Sequence, residues 1–67
     1  MDANFAATKT AIAANFAARQ SYIMSEPEAI RETIEWVQFA QSVREVLGNE
    51  CNSGLVHAFA RELGLEG

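Results

Sequence analysis

The sequence has almost none of the residues from which small proteins usually build cross-links. Its 67 residues include one cysteine, Cys51, and one histidine, His57. A single cysteine excludes an internal disulfide. Without a Cys-x-x-Cys or His-x-x-x-His spacing, neither a structural zinc site nor any other cofactor is expected. Basic residues are also scarce, with 5 Lys and Arg against 9 Asp and Glu and a net charge of −4. That argues against direct nucleic-acid binding, which draws its affinity from clustered cations displacing counterions. No apolar run approaches the roughly 18 residues of a membrane span. The N-terminus has neither the basic nor the continuous apolar region of a secretory signal. A cytoplasmic setting is expected, and a lone thiol fits a reducing compartment.

Size sharpens the problem. A chain this short buries only about 60% of its unfolded surface, so one domain over residues 1–67 must be stabilised by close helix packing or by association. Apolar residues make up 49% of the chain, but twelve of them are alanine. The larger apolar side chains recur at helical spacing and no β-alternation stands out, so the fold class is all-α.

Three helices are expected, the first two forming a long hairpin and the third being short. The first runs over about 3–23, capped by Asp2 or Asn4. The run Ser25-Glu26-Pro27-Glu28 places a serine cap, an early proline and a glutamate three residues after the cap, which opens a second helix over about 26–47. Gly48 supplies its left-handed C-terminal cap. A tight polar loop through Asn52 leads into a third helix over about 53–63, capped by Asn52 or Ser53. It ends at Leu63-Gly64, with Leu65 placed to fold back.

The first helix carries an internal repeat, Ala3-Asn4-Phe5-Ala6-Ala7 returning as Ala14-Asn15-Phe16-Ala17-Ala18 and Ile12 as Ile23. Its period of 11 residues nearly restores helical phase after three turns. Phe5, Ile12, Phe16 and Ile23 therefore share one stripe, flanked by Lys9 and Arg19. The second helix is apolar over too wide an arc for one neighbour. Trp36, Ala40, Val43 and Leu47 make one face, extended by Phe39 and Val46, and Ile30, Ile34 and Val37 make another. Two packing partners are expected for it, either both within the chain or one from another chain.

Chemistry has few candidates. Cys51 and His57 invite a thiol mechanism and Ser53 with His57 a serine–base pair, but there is no glycine-rich oxyanion element, and capping explains Ser53. No catalytic or metal-binding residues are therefore assigned. Glu26, Glu28, Glu32 and Glu35 crowd the start of the second helix, where acids complement the macrodipole. The segment from Val56 to Leu65 resembles the first helix and turn of a helix-turn-helix unit, but the reading helix would have to begin at Gly67 and the local charge is not basic. Lys9 and Arg19 are too few for a membrane-surface helix.

The expectation is a non-enzymatic protein, homodimeric, that docks a partner protein of unknown identity. Its interface candidates are Phe5, Ile12, Phe16, Ile23, Trp36, Phe39 and Val43, with Lys9, Arg19, Glu32 and Glu35 as a charged rim. Size and acidity suit an accessory inhibitor or regulator of the phage or mobile-element type that occludes a basic surface. Two other readings stand beside it: a self-assembling subunit driven by the 11-residue repeat, and a transcription-associated regulator using the helix-turn-helix-like segment.

Overall fold

The computed structural model describes residues 3–66 and is all-α, with no strand among them. Helix α1 spans Ala3–Ala18, α2 Gln20–Ser25, α3 Glu28–Leu47 and α4 Ser53–Glu62, with one 3₁₀ turn at Gly48–Glu50. Helices α1 and α2 together are the expected first helix, interrupted at Arg19. There the backbone tightens, Arg19 N–H donating to the Phe16 carbonyl three residues back at 3.0 Å. The chain then turns at Glu26-Pro27 and α3 returns along the first helix, so that Phe16 meets Phe39 and Arg19 meets Gln38. Helix α4 closes the third side.

The core follows from the apolar stripes. Ile12 of α1 and Phe39 and Val43 of α3 are fully buried and cluster with Val56, Phe59 and Ala60 of α4. Phe5 stacks on Phe59 with ring centroids 5.0 Å apart, and Phe16 meets Phe39 edge-on at 5.3 Å. Such ring pairs add about 0.5–1.5 kcal/mol beyond their buried area. The stripe of the repeat is thus the inner face of the first helix. Its alanines, mostly exposed on the other side, leave that helix with no strongly polar face.

Several expected ends are in place. Gly48 has φ +60°, and its N–H donates to the Arg44 carbonyl at the end of α3. Asn52 Oδ1 accepts from Leu55 N–H at 3.0 Å, capping α4. Gly64, with φ +80°, lets the chain reverse so that Leu65 N–H donates to the Ala60 carbonyl at 2.8 Å. Two starts differ. Ser25 does not cap α3. Its hydroxyl donates to the Tyr22 carbonyl at 2.6 Å and so finishes α2, while Pro27 precedes α3 with no side-chain cap. Asn4 lies inside α1, and Asp2 falls outside the described residues.

Stability should hang on the ring cluster. A chain of this length has roughly 3–10 kcal/mol in total, and truncating a buried phenylalanine costs about 3–5 kcal/mol. Phe39→Ala should therefore abolish or nearly abolish cooperative urea unfolding followed by circular dichroism. Phe16→Asp, which puts a charge against Phe39, should unfold the chain instead of yielding a folded monomer. A folded Phe16→Asp protein of near-native stability would contradict this packing.

Candidate functional site

Of the seven interface candidates, four are inaccessible. Ile12, Ile23, Phe39 and Val43 each have 0% relative exposure. The folded chain itself covers them, so for these four the expectation of a partner contact is corrected: they are core. Phe5 and Phe16 are half-buried and packed against the core rings. Trp36 alone of the seven is exposed, at 37%, leaning on Phe39 at 6.0 Å and on His57 at 5.2 Å. Its position four residues before Ala40 puts it at the edge of the buried face of α3, so it is wall and surface at once.

The exposed large apolar side chains are Tyr22, Met24, Ile30, Trp36, Val37 and Leu65. Three of the six belong to α3. Ile30 and Val37 are seven residues apart and share a face with half-buried Ile34 and exposed Gln41. That is the second face read from the sequence, and α1, α2 and α4 leave its centre uncovered. Tyr22 and Met24 carried no sequence signal, because the stripe through Ile23 gives no way to see which neighbours of α2 stay outside.

Charge is distributed unevenly between paired and unpaired groups. Arg19 is the most engaged cation. Its guanidinium donates to Asn15 Oδ1 at 2.8 Å and Gln38 Oε1 at 2.9 Å, and lies 3.7 Å from Glu45. Lys9 pairs with Glu62 at 3.9 Å and Arg61 with Glu66 at 3.8 Å. Arg31 donates to the carbonyls of Met24 and Glu26, bracing the turn into α3. Lys9 and Arg19 are therefore ties between helices of this chain. Glu32 and Glu35 have no hydrogen-bonding or ionic partner among the described residues.

Those two carboxylates stand where a core should continue. Along α3 the inward stripe reads Val46, Val43 and Phe39 and then, toward its N-terminus, Glu35, Glu32 and Glu28. Glu28 occupies the first turn and complements the macrodipole, an effect that fades within that turn. Glu32 and Glu35 lie beyond its reach. With Trp36, Phe39 and Leu65 they line an open cleft of about 220 Å³. A second cleft, of about 250 Å³, lies between α3 and the start of α4 and is lined in part by Arg44, Cys51, Ser53 and His57. His57 Nδ1 is 2.7 Å from Glu66 Oε2, a hydrogen bond the ring N–H donates to the carboxylate. No hydrogen bond joins His57 to Cys51 or Ser53 among the described residues. Nor does any group of three or more His, Cys, Asp and Glu side chains there converge as a metal site.

No described helix is long and apolar enough to cross a membrane. No family model, curated protein or solved structure matches this chain.

The different environments of the cations set different stabilities. Arg19→Met keeps the apolar stem but deletes charge-assisted hydrogen bonds to two amides, and should lower unfolding free energy by about 1–3 kcal/mol. Glu45→Gln, removing a mostly exposed partner, should cost less than about 1 kcal/mol. Paired urea titrations check the order, and an equal cost for both would mean that the ion pair, not the amide contacts, holds α1 to α3.

Proposed function

We propose that this chain is a non-enzymatic binding protein that presents α3 to a protein partner. The observation that carries the reading is the exposure of Ile30 and Val37 at 46% and 47% on a helix whose opposite face is already buried. Isolated exposed apolar residues are ordinary on a protein surface. Two on one helical face, beside a half-buried isoleucine and a turn away from a partly exposed tryptophan, form the kind of anchor on which binding energy concentrates.

The excess of unpaired carboxylates on the same helix supports a basic partner surface, in keeping with an accessory inhibitor or regulator that works by occlusion. A two-copy form would use the Ile30/Val37 face. The 11-residue repeat offers less to a self-assembling subunit, since its Phe and Ile positions face inward. Catalysis is disfavoured because no hydrogen bond joins His57 to Cys51 or Ser53 among the described residues, which leaves neither hydroxyl nor thiol with a base in reach.

The double variant Ile30→Asp, Val37→Asp changes only exposed positions, so it should keep native helicity by circular dichroism. Affinity capture from the native cell lysate should then lose, relative to the unsubstituted chain, the protein that copurifies with it. Sedimentation in the same buffer should show whether the face joins two copies. Capture of the same partner by the double variant at full yield would defeat the reading.

A further inference from the structure

We infer that the cleft formed by Glu32, Glu35, Trp36, Phe39 and Leu65 seats one arginine side chain carried on a basic segment of the partner protein. The inference rests on the binding function proposed above and gives it a chemistry.

The position of the cleft comes first. Helix α4 ends at Glu62, and the chain reverses at Gly64 so that Leu65 is brought to the flank of α3. Beyond that point α4 no longer covers α3, α2 packs along its other flank, and the residues on the α4 side change from Phe39 to Glu35 and Glu32. A solvated surface helix would be satisfied by carboxylates on its outer face. Here they line a cleft beside an indole, Glu35 half-buried and Glu32 exposed at its mouth.

The volume excludes one class of occupant. About 220 Å³ is below the roughly 300–1,000 Å³ of small-molecule pockets and suits a single long side chain. The lining then selects the side chain. Two carboxylates without internal partners call for a cation. The nearby cations cannot serve, because Arg31 is held by the carbonyls of Met24 and Glu26, and Arg61 with His57 holds Glu66 behind Leu65. An aromatic wall beside those carboxylates favours a planar guanidinium, which stacks on an indole and donates in parallel to a carboxylate, over a compact and strongly hydrated ammonium.

Nucleic acid does not fit, since its phosphates would face Glu32 and Glu35. A second copy of this chain fits poorly. The one described cation of this chain without an ion pair or hydrogen bond is Arg44, nine residues from Glu35 and so half a turn around the same helix. Arg44 of one copy in the cleft of the next would make a head-to-tail contact, which builds a ring or a filament instead of a simple two-fold dimer.

The test uses a capped six-arginine peptide and the fluorescence of Trp36, the only tryptophan. Titration should give a saturable change in emission. Glu32→Gln with Glu35→Gln should weaken binding at least tenfold, and Glu32→Gln alone at least threefold, with helicity unchanged. Glu26→Gln with Glu50→Gln removes the same charge outside the cleft and should weaken it less than threefold. A capped six-lysine peptide should bind at least threefold more weakly. Equal losses from the two double variants, equal affinity for lysine, or an unresponsive tryptophan would overturn the arginine seat. So would a sedimentation mass that climbs with concentration in the absence of peptide and falls back for Arg44→Gln, which would make a second copy the occupant. Because the binding function is tested through Ile30 and Val37, a negative result here removes the seat and leaves that function standing.

Discussion

The contact on which the rest of the molecule depends is the meeting of Phe39 with Phe16 and with the Val56–Phe59 side of α4. Phe39 is the largest fully buried side chain among the described residues. It sits near the middle of α3, where the first helix and α4 both press on it. Neither the first helix nor α4 has enough apolar surface to hold its place without that ring. With a single thiol the chain has no internal disulfide to share that role. Cooperativity in so short a chain follows: the helices share one hydrophobic centre and stand or fall with it.

That dependence explains the two characters of α3. Its C-terminal half is occupied on the inside by α1 and α4, and its N-terminal half packs on α2 alone and extends past the end of α4. The same helix is structural along one length and available along the other. Trp36 lies at the boundary, close enough to Phe39 to be positioned by the core and far enough out to meet another molecule. An anchor fixed in this way loses little side-chain freedom on binding, which favours affinity from a small surface.

Much of the fold was legible in the sequence because it is written in short-range signals. Gly48, Asn52 and Gly64 act within one turn of the chain, and the Phe5/Ile12/Phe16/Ile23 stripe is a matter of periodicity. What periodicity does not encode is which neighbour covers a stripe. The same pattern that marks an interface marks a core, so Ile12, Ile23, Phe39 and Val43 read as candidates for both until the helices are placed. The interruption at Arg19 was not legible either. No proline or glycine stands there, and its partner Gln38 is nineteen residues away. Ser25 satisfied the pattern of a cap and serves the helix on its other side, because a hydroxyl donates backward as readily as it accepts forward. Glu32 and Glu35 were visible as acids, but they share the phase of Glu28, and only their place beyond the first turn of α3 separates them from its dipole role.

The clamp at Arg19 has a consequence for how the protein responds to its solution. Two of its three partners are neutral amides, reached at hydrogen-bond distance, and the other ion pairs of the fold are exposed and long or lie at the chain's last turn. Mobile ions screen exposed charges beyond about 8 Å at physiological strength and do little to a short amide contact or a buried ring. Raising ionic strength should therefore detach function from fold. The helices should keep their arrangement while the unpaired carboxylates lose their reach, so that the proposed contact with a basic partner weakens without unfolding the protein.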